Sequence, residues 1–164
     1  MTRSFRMPAA ALLCMAFAGT AGAVTTGHYG LHWQAFSPAS DSSACNYVYS
    51  NFLGGIASGV TGACFSAGVN LPDGATITAV SFWHTSSSGT ESFDFFRTAV
   101  SDGTSVKLIS KQDTNSTGQR KTVNVAVHHL NVVDNTRYLY GVLVCLGNAN
   151  NDTFQGARIT YTTP

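Results

Sequence analysis

Five histidines, a single glutamate and the cysteines are the residues of this chain that could do chemistry. His28 and His32 stand four apart. In an extended strand they share a face but lie about 13 Å apart, too far for one ion to take both. His128 and His129 are adjacent and point to opposite faces of a strand. A zinc site would have to recruit His84 or another histidine from across a sheet, so neither metal nor cofactor is expected. Nucleophilic catalysis has no motif either: G-x-S-x-G, H-E-x-x-H and a recognisable Cys–His pattern are all missing from the sequence. Glycoside hydrolysis needs two carboxyl groups flanking the scissile bond. Glu91 has Asp94 as its nearest acidic neighbour, three residues on and therefore on the other face of a strand. Only a partner from a distant strand could complete such a pair. The sequence assigns no catalytic residue, and the expected role is non-enzymatic.

Sugar binding asks for less: an aromatic platform and nearby hydrogen-bonding groups. The candidates are Tyr29 and Trp33 on one strand face, Tyr47 and Tyr49, and the loop residues Asn148, Asn150 and Asp152. Against them, Trp33 and Trp83 share faces with apolar neighbours and read as core, and loop asparagines commonly satisfy turns. Calcium in the 148–152 loop would find Asp152 as its one charged ligand, too few for a strong site.

The opening stretch sets the compartment. Arg3 and Arg6 precede an apolar run over residues 9–18, followed by Ala21-Gly22-Ala23, the pattern of a cleaved secretory signal peptide over residues 1–23. The run is too short to span a bilayer. Residues 24–164 then form one β domain, secreted to the periplasm, the cell surface or the medium, with no membrane attachment after cleavage. They retain Cys45, Cys64 and Cys145, an odd number, which implies one disulfide and one remaining thiol. The local pairing Cys45–Cys64 is expected; the alternative, Cys64–Cys145, would tie strands distant in sequence. Without Arg3 and Arg6, seven basic residues face eight acidic ones, and a formal net charge of −1 gives no electrostatic reason to expect nucleic acid as a partner. Only 10% of residues are charged, so Ser, Thr, Asn and Gly must cover much of the surface. Such a surface also suits a homo-oligomer.

The elements that would position these residues are strands. Alternation with a period of two runs over residues 29–35, 75–84, 91–100, 106–111 and 123–127, with further strands at 46–49, 64–71, 138–146 and 153–162. In 75–84, Ile77, Ala79, Ser81 and Trp83 fall on one face and Val80 and Phe82 on the other. Gly54-Gly55 and Gly59 suggest a loop. Pro72-Asp73-Gly74 and Asp102-Gly103 are turn signals. No helical period follows residue 23. Eight or nine strands separated by turns predict an all-β, antiparallel, jelly-roll-like β-sandwich.

Four segments carry a resemblance: Ala35-Phe36-Ser37-Pro38, Leu71-Pro72-Asp73-Gly74-Ala75-Thr76-Ile77-Thr78, Tyr138-Leu139-Tyr140 and Gly156-Ala157-Arg158-Ile159-Thr160-Tyr161. Together they resemble a group of secreted or surface-associated bacterial β-sandwich proteins to which no activity is assigned. The resemblance implies fold and export. It departs after Trp83, where His84-Thr85-Ser86 replaces an expected acidic residue. The resulting expectation is an exported non-enzymatic structural or binding protein able to self-associate; a carbohydrate-binding module is the alternative and a hydrolase with an unrecognised site comes third.

Overall fold

The computed structural model describes residues 23–39, 47–50, 54–86, 89–114, 117–148 and 152–164, with the side chains of 47–50 excluded. The expected signal peptide, Cys45 and Asn150 therefore lie outside the described residues, as do the side chains of Tyr47 and Tyr49.

Two antiparallel sheets pack face to face. The strands are β1 (Thr25–His32), β2 (Ser37–Pro38), β3 (Tyr47–Ser50), β4 (Gly55–Ser58), β5 (Cys64–Val69), β6 (Thr76–Thr85), β7 (Glu91–Ala99), β8 (Ser105–Asp113), β9 (Arg120–Ala126), β10 (Tyr138–Cys145) and β11 (Thr153–Thr163). One sheet has six strands in the order β3-β4-β11-β6-β9, with β1 pairing β11 alongside β4; the other has five in the order β2-β5-β10-β7-β8. The architecture is the expected all-β sandwich, with more strands than the turn signals suggested because β2 and β4 are short.

The period-two alternation explains the core. Phe93 and Phe95 of β7, Val142 and Val144 of β10, Val80 and Phe82 of β6, and Phe154 and Ile159 of β11 are fully buried between the sheets. Phe82 stacks on Phe93 with ring centroids 4.9 Å apart, and Phe36 meets Phe154 edge-on at 4.8 Å. Each such ring removes roughly 150–250 Å² from water, so this layer dominates the stability of the sandwich.

Three local expectations are corrected. The strand expected to run to Ala35 stops at His32, and Trp33–Ala35 is a 3-10 turn. The His32 ring accepts from the Gln34 N–H, and the Phe36 N–H closes the turn on the Trp33 carbonyl, which swings Trp33 and Phe36 into the core. The expected loop around Gly55 is instead β4. A side chain at Gly55 would meet the Phe154 carbonyl oxygen at 2.6 Å, so this glycine permits a close backbone approach. In β6 the register shifts between the Ala79–Thr160 and Ile77–Tyr161 pairs, leaving Thr78 as an extra residue. That bulge moves Ile77 to the buried face with Val80 and Phe82.

The disulfide is the alternative pairing, Cys64–Cys145, and the preferred Cys45–Cys64 is overturned. Cys64 and Cys145 are register partners across β5 and β10, with Cα atoms 4.0 Å apart. The next residue along, Leu146, donates its N–H to the Ala63 carbonyl, placing the cysteines at the closely spaced position of an antiparallel ladder. The Leu71–Thr78 motif is architectural. The Ala75 N–H bonds the Pro72 carbonyl around Gly74, whose φ is 73°, and Asp73 and Leu71 both hold Asn135.

Non-reducing peptide mapping will recover a Cys64–Cys145 peptide; a Cys45–Cys64 peptide would contradict this arrangement. Replacing both cysteines by serine will lower unfolding free energy by about 2–4 kcal/mol in denaturant melts. Phe93→Ala will cost about 3–5 kcal/mol by the same measurement, because it opens a void in a fully buried ring layer.

Candidate functional site

The alternation that buries Val80, Phe82 and His84 turns Trp83 outward. On the outer face of the six-stranded sheet, register places Thr122 of β9, Trp83 of β6, Gly156 of β11 and His32 of β1 in one row. The next row is Asn124, Ser81, Arg158 and Gly30. Trp83 is partly exposed, and the Arg158 guanidinium lies 5.5 Å from its ring centroid. Gly30 and Gly156 have no side chains to fill the space beside the ring. The result is an open groove of about 410 Å³ whose lining includes Gly30, His32, Trp83, Gln155 and Arg158. Gln155 donates to the Thr85 hydroxyl at 3.0 Å, which holds its side chain on this face. An apolar ring beside guanidinium, imidazole and amide groups can hold the C–H face of a sugar while donating to its hydroxyls.

The residues expected to form a platform are placed elsewhere. Trp33 is 4% exposed and belongs to the core, and Tyr29 packs against that core. Asp152 is fully buried: its Oδ1 accepts from the Ser86 hydroxyl at 2.8 Å and its Oδ2 from the Asn148 N–H at 2.6 Å. The carboxylate of Asp152 is therefore already engaged by Ser86 and Asn148. Trp83, expected in the core, instead faces outward and is partly exposed. The bulge at Thr78 decides this, because it puts Ile77 and Trp83 on opposite faces.

A second group of polar residues sits inside the sandwich, where edge strands β8 and β9 approach each other. His84 continues the buried face of β6, Glu91 begins the buried face of β7, and Asp113 is the register partner of Glu91 on β8. His84 Nε2 lies 2.9 Å from Asp113 Oδ2, and His84 Nδ1 lies 3.5 Å from Glu91 Oε2. Lys121, the register partner of His84 on β9, pairs with the other oxygen of Asp113. The His84, Glu91 and Asp113 donor atoms, one from each, all lie within 4.8 Å of one another, so these three residues could hold a metal ion. Asp94, by contrast, points outward and pairs with Lys107 at 2.7 Å, as the parity argument required. His84 and Glu91 are both 0% exposed, and only Asp113 of the cluster reaches the surface, with its side chain 12% exposed.

Burial shapes the protonation of the cluster. It pushes the Glu91 carboxyl up to about 7, with the nearby Asp152 carboxylate adding to the rise and the Ser86 hydroxyl opposing it. Burial also lowers the His84 imidazole, against the attraction of Asp113. For Asp113, burial alone would raise the carboxyl, but Lys121 and His84 outweigh it and hold it below its ordinary value. Between pH 4.5 and about 7, folded Glu91 therefore retains a proton that the unfolded chain has released, and stability falls as pH rises. The lowered His84 acts in the opposite sense, removing stability as pH falls below 6.5. In chelator-treated protein, Glu91→Gln removes the first effect alone. Its Tm will gain on wild type progressively from pH 5 to pH 8; a Tm difference independent of pH would contradict the assignment.

No family model and no curated protein matches the chain. Solved structures do share its fold. The C-terminal CBM6 of LamC, a marine laminarinase from Zobellia galactanivorans, aligns with a TM-score of 0.50 and 16% identity over 82% of this chain and 99% of that one. The carbohydrate-binding module CBM6cm-2 of Cellvibrio mixtus lichenase 5A, in complex with cellotriose, aligns with a TM-score of 0.50 and 16% identity over 80% of this chain and 95% of that one. At this identity the likeness is one of fold: the chain is built as an antiparallel β-sandwich like these modules.

Proposed function

We propose that this chain is an exported carbohydrate-binding domain that lays a glycan across the outer face of its six-stranded sheet. The observation that carries the reading is Trp83, partly exposed on a sheet face with Arg158 beside its ring and glycines where neighbouring side chains would block approach. Stacking on Trp83 supplies the apolar contact, while Arg158, His32 and Gln155 supply polar contacts to hydroxyl groups. The fold shared with two sugar-binding modules supports the reading, as does the signal-like sequence of residues 1–23. Among the described residues, no helix is long and apolar enough to cross a membrane.

Cellotriose, which the Cellvibrio module binds, makes β-linked gluco-oligosaccharides the first probes. Titration calorimetry and tryptophan fluorescence will detect saturable binding to at least one β-glucan or other plant or algal oligosaccharide. Trp83→Ala will weaken it by about tenfold or more, equivalent to roughly 1.4 kcal/mol, with the melting curve little changed because the ring faces outward. Arg158→Ala will weaken it as well. A broad glycan array that stays silent would remove the proposal.

A second reading, self-association as an exported structural protein, rests on one feature. Leu139 is 64% exposed on the outer face of the five-stranded sheet, near the start of its central strand β10, where Phe96 lies against Gly141. Light scattering of the purified protein will give a multimer dissociated by Leu139→Asp if that face is an interface, and a monomer if it is not.

A further inference from the structure

Buried polar groups outnumber their partners at the β8–β9 end of the core. Glu91, Asp113 and Asp152 are three carboxyl groups gathered around His84, and Lys121 pairs with one of them, Asp113. Asp152 already accepts from Ser86 and Asn148. The others do not have their hydrogen bonds. Both nitrogens of His84, both oxygens of Glu91 and Oδ2 of Asp113 are buried without a hydrogen-bond partner, although His84 lies within 3.5 Å of each carboxylate. Leaving so many buried polar atoms unsatisfied costs free energy that a hydrogen-bonded network would avoid. A divalent cation would satisfy the lone pairs, with Glu91 releasing its proton as the ion binds.

We propose that His84, Glu91 and Asp113 bind one first-row transition-metal ion of the zinc type, bridging the two sheets at their open edge. The donor set selects the ion class. One imidazole nitrogen and two carboxylates match a three-residue zinc site with a fourth position for another ligand. Calcium would want six to eight oxygens, and Asp152, the next carboxylate, has its oxygens engaged. With zinc bound through one imidazole nitrogen, the other ring N–H stays available to a carboxylate, an arrangement that orients metal-bound histidines. Lys121, with a side chain 43% exposed, can swing from Asp113 into solvent as the ion enters. The ion would tie β6 of one sheet to β7 and β8 of the other, on a face separate from the Trp83 groove.

The test uses purified protein stripped with chelator, then zinc chloride alone. After desalting, elemental analysis will find one zinc per chain, and zinc will raise Tm by about 5 °C or more. His84→Gln and Asp113→Asn will each abolish the retained zinc and the Tm rise, with near-UV circular dichroism reporting the fold; Asp113, at the edge, is the substitution least prone to unfold the chain. A variant with His128 and His129 both changed to Gln will keep both signals. Three results would overturn the proposal: no zinc retained by the wild type, zinc retained equally by a folded Asp113→Asn variant, or an equal Tm rise with calcium chloride. None of these readouts involves sugar, so glycan binding can fail while the metal site stands.

Discussion

The layer of phenylalanine rings between two antiparallel sheets is the constraint on which everything else in this molecule depends. Phe82, Phe93, Phe95 and Phe154 come from three strands and have no exposure to solvent. Because successive residues of a strand face opposite ways, committing these rings to the interior commits their neighbours to the exterior. Trp83 is outside because Phe82 is inside. His84 is inside for the same reason, one residue further on. The Trp83 groove and the polar cluster are two consequences of one packing decision along β6.

The polar cluster shows what happens when an alternation outlasts its apolar residues. The inward phase of β7 starts at Glu91 before Phe93 and Phe95, that of β8 passes Ile109 and ends at Asp113, and that of β6 passes Phe82 and reaches His84. All three polar positions arrive at the same end of the sandwich. Burial there disfavours charge, which is why the Glu91 carboxyl is pushed up and the His84 imidazole down. The outer face is under no such strain, since water solvates Arg158 and the hydroxyl and amide groups around Trp83.

Stability of the arrangement is shared between burial and a covalent tie. Cys64 and Cys145 close the edge strand β5 onto central β10, across a separation of 81 residues. The Leu71–Thr78 turn adds a second tie, holding the segment around Asn135 through Asp73 and Leu71. With 10% charged residues, surface ion pairs contribute little, and the weakly charged exterior suits hydroxyl-rich partners better than polyanions.

The class of fold is legible in the residues alone. Period-two alternation, turn residues and the missing helical period require strands, and local sterics enforce that wherever the chain sits. The sequence also requires that Glu91 and Asp94 face opposite ways. What it could not determine was anything set by a bulge or by register between distant strands. One extra residue at Thr78 reversed the reading of Ile77 relative to Trp83, and alternation alone carries no mark of it. The Cys64–Cys145 bridge, the Glu91–Asp113 pair and the row from Trp83 to His32 each join residues that meet only through strand pairing. Those meetings are decided by which edges hydrogen-bond and where the ladders align, a property of the assembled sheets rather than of any local segment.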